Sequence, residues 1–192
     1  LRALPRVMER VQRVRAFRLK SSARPTREAG QIPGLFFYIS QPQTEYILIP
    51  EVSSERRPYI PMGFMAPEVV SANTNFLIAS SSLYHFGVLT SAMHMAWMRQ
   101  VCGRLKSDYR YSGSMVYNNF PWPEANEGQR AAIEAAAQAV LDARAAYPHS
   151  TLADLYDPLT MPPELVKAHA ALDRAVDRAY RKQPFPADRD RV

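Results

Sequence analysis

The sequence predicts an α+β fold: a small mixed or antiparallel sheet with a buried central helix, followed by a helical C-terminal module. Three observations carry that expectation. Short runs rich in β-branched and aromatic residues, Leu35–Ser40 (LFFYIS) and Tyr46–Pro50 (YILIP), lie between polar and proline-bearing stretches. The apolar stretch from Tyr84 to Leu105 repeats at helical rather than strand spacing. After Pro123 the chain turns alanine-rich, with apolar residues again three and four apart.

Taken in order, residues 3–18 read as a helix, because Val7, Val11, Val14 and Arg18 share a face. Arg6, Arg10, Arg13 and Arg15 ride beside it, and residues 1–24 are expected to connect to an upstream domain. Lys20–Gly34 breaks into Ser, Arg, Thr, Gly and Pro and reads as a solvated basic loop. Leu35–Ser40 and Tyr46–Pro50 are expected to pair as strands across Gln41–Glu45, with Tyr59–Met65 and Asn75–Ala79 as weaker strands. Ser53–Arg57 forms a loop between Pro50 and Pro58. Tyr84, Val88, Ser91, Met95, Met98 and Cys102 line one mostly buried helix, which Gly103 ends. Glu127–Ala146 is a strong helix former, and Pro148–Pro163 is a loop. Pro163 then opens a helix through Leu165, His169, Leu172, Val176 and Tyr180. These last two helices suggest an αα-hairpin packed on the preceding region.

A chain of 192 residues fits one domain or two small ones. With 47% hydrophobic and 22% charged residues it is a folding composition, not a disordered one. A single cysteine, Cys102, excludes an internal disulfide and a cysteine-built zinc site. No apolar run approaches the roughly 20 residues that span a bilayer. The opening Leu1, without an initiator Met or signal pattern, leads us to expect an internal or C-terminal piece of a longer cytoplasmic protein. The net charge of +6 is uneven: residues 1–123 hold 15 Lys/Arg against 7 Asp/Glu, and residues 124–192 hold 9 against 11. Attraction to a polyanion is therefore expected from the first two-thirds.

Catalysis finds little support. The seven glycines form neither a phosphate loop nor a dinucleotide fingerprint. His85 and His94 sit on the expected core helix, far in sequence from His149 and His169, so structural histidines are the simpler reading. Ser53 and Ser54 lack a nucleophile elbow, which leaves a hydrolase using Ser54, His85 or His94 without a triad context. Cys102 reads as a buried small hydrophobe. Asn118-Asn119-Phe120-Pro121-Trp122 and Met161-Pro162-Pro163-Glu164 contain parts of an amino-methyltransferase grip, the first in the wrong order and the second without an aromatic.

Binding is better supported, and by the segment VCGRLKSDYRYSGSMVYNNFPWP (101–123) above all. Arg104, Lys106 and Arg110 recur there among Tyr109, Tyr111 and Tyr117. Cations of this kind neutralise phosphates, and Arg and Asn can bond base edges. Arg56 and Arg57, beside the neutral donors Ser53 and Ser54, add a second basic loop. The alternative is that the tyrosines fill a core while the cations pair with Asp108 or Glu55.

Four segments, SSERRPYIPMGF, LYHFGVLTSAMHMAWMRQVCGRLKSDYRYS, VYNNFPWP and LADLYDPLTMPPELVKAHAALDRAVDRAY, resemble in order the C-terminal portion of MmeI-like restriction–modification enzymes. The resemblance runs from about Val11 to Tyr180. It implies a target recognition domain over residues 25–123 and a helical C-terminal region over 124–192. Partners would be double-stranded DNA and upstream endonuclease and adenine N6 methyltransferase domains of the same chain, with no membrane. S-adenosylmethionine and Mg2+ would serve those upstream domains, and no cofactor or catalytic residue is expected within these residues. The resemblance implies phosphate contacts from Arg56, Arg57, Arg104, Lys106 and Arg110. Its variable stretches, Met65–Ser82 and Ser112–Met115, make Asn73, Asn75, Ser80, Ser81 and Ser82 candidate base readers. A different reading makes the chain a docking module that packs on the methyltransferase domain without reading bases.

Overall fold

A computed structural model describes residues 3–192. The chain divides into two compact units, Leu1–Gln41 and Pro42–Val192. In the first, α1 (Pro5–Leu19) begins on a proline, whose fixed φ and missing N–H suit a first helical position. The expected loop from Lys20 to Gly34 contains a second helix, α2 (Arg24–Ala29), again with proline in its first turn. The Arg18 guanidinium donates to the Ala29 carbonyl at 3.1 Å and the Leu35 carbonyl at 3.0 Å, tying the end of α1 to the turn after α2. Gly30 is needed for the close approach: a Cβ there would lie 3.0 Å from Leu19 and 2.9 Å from the Arg27 carbonyl oxygen.

Leu35–Ser40 forms no strand, contrary to expectation. β-propensity records how well a side chain packs on a sheet, and no strand pairs with this segment. Its apolar side chains are exposed instead.

The second unit runs β1 (Tyr46–Pro50), β2 (Val52–Ser53), β3 (Gly63–Met65), β4 (Asn75–Ala79), α3 (Leu83–Leu89), α4 (Ala92–Val101), β5 (Gly103–Leu105) and β6 (Asp108–Arg110). A π-helical turn at Gly113–Tyr117 follows, then α5 (Glu127–Ala145), α6 (Leu152–Leu155), α7 (Pro163–Tyr180) and a short 3-10 turn at Asp188–Arg191. The fold is α+β as expected, with the strands in two antiparallel sheets. In one, β1 lies between β3 and β4, with Tyr46 opposite both Met65 and Ala79. In the other, β6 lies between β2 and β5.

The central helix is buried but broken. Thr90 donates its hydroxyl to the Phe86 carbonyl at 2.8 Å, and Ser91 caps α4 by accepting from the His94 N–H. Hydroxyl side chains compete with the helical ladder in this way, so one long period becomes two helices. Gly103 starts β5 rather than capping a helix, because the chain leaves Cys102 in extended backbone.

α5 packs on α3 and α7. At the α3–α5 crossing a Cβ on Gly87 would meet Ile133 at 2.8 Å and Ala137 at 3.1 Å, so only glycine lets the helices come this close. Arg144, on α5, donates to the Met62 carbonyl at 2.7 Å and to the Tyr156 hydroxyl. Tyr156 bonds His169 Nε2 at 2.7 Å, and Tyr59 stacks on His169 while donating to Asp173 at 2.6 Å. Asp173 also accepts from the Ala92 N–H at 2.7 Å. These bonds tie the C-terminal helices to the segment just before β3 and to α4. Residues 42–192 thereby share one core. No helix among the described residues is long and apolar enough to cross a membrane.

Candidate nucleic-acid interface

The predicted phosphate contacts gather around a hairpin that went unpredicted. β5 and β6 are joined by the two-residue turn Lys106-Ser107, with Lys106 at φ 57. That left-handed conformation is uncommon outside glycine and aspartate-like residues, and here it points to a tightly specified turn. Arg104 lies 4.3 Å over the Tyr109 ring and donates to the Ser107 carbonyl at 2.9 Å. Its guanidinium is also 3.8 Å from Glu55. Arg110 is bound to Glu51 at 2.7 Å. Lys106 sits exposed at the tip and has no ion pair among the described residues. Arg104 and Arg110 are thus held by neighbours, whereas Lys106 is open.

Arg56 and Arg57 occupy the turn after β2. That turn is tied to the hairpin where Asp108 accepts from the Glu55 N–H at 3.3 Å. Arg56 is exposed, whereas Arg57 Nε is buried without a hydrogen-bond partner. Ser53 is buried opposite Tyr109.

Glu51 is the residue that joins the two sheets. Its N–H donates to the Thr74 carbonyl at 2.9 Å, and its carbonyl accepts from the Tyr111 N–H at 2.7 Å. Its carboxylate holds Arg110. Asn73 and Asn75, at the start of β4, therefore fall beside the Arg110 end of the hairpin sheet. Asn73 is exposed, and Asn75 donates to Ser71 at 3.1 Å. The π-helical turn joins the same neighbourhood, with Gly113 against the Phe76 ring and Met115 exposed.

Ser80, Ser81 and Ser82 stand apart from this cluster. They lie past the far end of β4, a five-residue strand of about 17 Å. Ser80 turns the chain at φ 54, the Ser81 hydroxyl is buried without a partner, and Ser82 caps α3 in a reciprocal arrangement with His85.

Of the histidines, His94 and His169 are buried in the core, His85 is partly buried and His149 is exposed. His94 is fully buried, bonded to the Tyr111 hydroxyl at 3.1 Å, and burial pushes its pKa down to about 3. Burial lowers that of His85 too, helped by Arg130. The half-buried Cys102 thiol is raised by burial. Among the described residues no group of three or more His, Cys, Asp or Glu could hold a metal ion.

Sequence reasoning missed Glu51, the Arg104–Tyr109 stack and the hairpin itself. GRL-KS-DYR does divide as strand, two-residue turn and strand, but it lacks the Asn-Gly or Asp-Gly pair that marks such turns.

The structure is thus an α+β module presenting an open, cation-bearing hairpin. The chain belongs to the MmeI family, matching the MmeI target recognition domain over residues 1–124 and the MmeI C-terminal domain over residues 125–192. It is 40% identical across all 192 residues to DNA methyltransferase A of Bacillus subtilis (strain 168), covering 22% of that protein. It also matches a solved structure of the Type IIL restriction–modification enzyme MmeI in complex with DNA, at 54% identity and a TM-score of 0.89. That match covers 99% of this chain and 25% of the enzyme. The chain thus spans about a quarter of each relative's length.

Proposed function

We propose that this chain is the part of a longer restriction–modification polypeptide that holds duplex DNA and reads a short asymmetric site through the major groove. The observation that carries the reading is the near-complete structural match to part of an enzyme solved with DNA. The hairpin supports it locally. Lys106 at the tip, with Arg104, Arg110, Arg56 and Arg57 behind it, sets the register on phosphates. Asn73 and Asn75, near those cations, would be base readers, and Asn is suited to bidentate bonding of adenine. Ser80, Ser81 and Ser82 would address bases a strand's length away.

Adenine N6 methyl transfer and cleavage, with S-adenosylmethionine and Mg2+, fall to the remaining three-quarters of the polypeptide. This region's share of methylation is to hold the duplex while the target adenine is extruded.

Selection of the full-length enzyme on a randomised duplex library, at low and moderate salt, tests this directly. One short enriched motif that survives the higher salt is the expected outcome. Reversing the charges of Arg104, Lys106 and Arg110 together should abolish retention. Unchanged retention in that variant would sink the reading, and retention without enrichment would reduce the chain to a non-specific clamp.

A further inference from the structure

The Leu1–Gln41 unit combines strong positive charge with an exposed apolar surface that a polar DNA-binding face lacks. Neither α1 nor α2 buries a single side chain. Of the 19 exposed large apolar residues described in the whole chain, 11 fall within these 41 residues. Phe17 is 77% exposed, Phe36 86% and Tyr38 84%, and Leu35 to Ile39 form an unbroken exposed apolar run. Val7, Val14 and Phe17 share one seam of α1 at helical spacing, with Arg10 between them. The same unit has nine Arg/Lys against two Glu, a net of +7. Glu9 pairs with Arg13 and Glu28 with Arg24, so both acidic groups are already engaged.

Large exposed apolar patches mark interaction sites. Protein–DNA interfaces are polar and positive, whereas protein–protein interfaces enrich aromatics together with arginine. The aromatic run therefore selects a protein partner. A second copy of this unit is disfavoured, because two faces of +7 would repel. The polypeptide lying outside these residues is abundant in both relatives, which are four to five times as long as this chain.

We propose that residues 4–39 are a docking element for an apolar, acid-rimmed surface on the catalytic portion of the same full-length polypeptide. Phe17, Phe36 and Tyr38 are the anchors, and Arg6, Arg10 and Arg15 meet the acidic rim. This inference stands on the chemistry of the unit and holds whether or not residues 42–192 read bases.

The test is photo-crosslinking in the full-length enzyme, with a benzophenone-bearing phenylalanine analogue placed at position 36 or 38. Crosslinks within one polypeptide, to acidic and apolar segments outside these 192 residues, are expected with and without DNA. Crosslinks to DNA, to a second copy or to residues 42–192 would overturn the proposal, as would none at all. A Phe36→Ser variant should be cleaved roughly tenfold faster between residues 35 and 40 in limited proteolysis, the effect of losing one interface anchor. Unchanged cleavage also counts against it. Duplex retention by the unsubstituted enzyme is read separately, so failure of one reading is distinguishable from failure of the other.

Discussion

The two compact units divide the chain's chemistry in a way its total charge conceals. Leu1–Gln41 carries a net of +7 and no buried helical side chain. Pro42–Val192 holds 15 Arg/Lys against 16 Asp/Glu, a net of −1, around a closed core. The attraction to a polyanion expected of the first two-thirds is therefore concentrated in the unit whose surface suits protein. The unit that holds the candidate DNA contacts is nearly neutral. Under the proposed function, recognition there would depend on where a few cations point, not on a field.

The sharpest way to break this comparison is to remove apolar volume from each unit. Leu172 is fully buried in the core, and Gly87 on α3 makes its close approach to it. Leu172→Ala should cost about 2–5 kcal/mol in chemical denaturation of the 192-residue chain. Phe36→Ala should stay within about 0.5 kcal/mol in the same chain, since it removes a side chain that contacts solvent. Equal losses would mean that the first unit is folded into a core of its own, and the contrast would fail.

Acid offers a second, intermediate effect confined to the second unit. His94 and His169 are buried neutral, each pushed from 6.5 down to about 3. The unfolded chain therefore takes up these protons first as pH falls. Their contribution is intact above about pH 6.5 and is lost progressively down to about pH 3. Each imidazole should steepen the decline by about 1.4 kcal/mol per pH unit in that window. Burial raises the Asp173 carboxyl from 3.8, so the folded chain binds that proton earlier and offsets part of the loss. Denaturation midpoints measured from pH 7 to pH 4 check this. His94→Gln should remove about half of the imidazole contribution to the slope.

The legibility of the fold follows the same division. The Tyr46–Pro50 and Asn75–Ala79 strands and the helices opening at Glu127 and Pro163 were readable, because burial imposes a period on their residues. Leu35–Ser40 misled because its composition is that of a strand while no strand pairs with it. The break at Thr90–Ser91 was hidden by an apolar period that continues through two hydroxyl side chains. At the candidate interface the cations were readable as residue types, but their states were not. Whether an arginine is open or held depends on Glu51 and Tyr109, which lie 59 residues or five residues away along the chain. No local pattern reports such partners. The Arg144–Tyr156–His169 chain was invisible for the same reason.

That difference between held and open cations sets the smallest and most diagnostic prediction. Each phosphate neutralised by a cation contributes a slope of about one logarithmic unit of affinity per logarithmic unit of salt. Lys106 has no ion pair among the described residues to give up, so its contact with a phosphate would be registered in full. Arg110 must share its charge with Glu51 at 2.7 Å, and Arg104 is held by Tyr109, Ser107 and Glu55. In the full-length enzyme, Lys106→Gln should lower the salt slope for its duplex by about 1, and Arg110→Gln by clearly less. Glu51→Gln should then move Arg110 toward the open state and steepen the slope, although the substitution removes no cation. If all three variants change the slope equally, or none does, the hairpin tip is not where the backbone is held. The contact would then fall to Arg56 and Arg57 or to the +7 of the first unit, and the second of these would reverse the division of labour between the two.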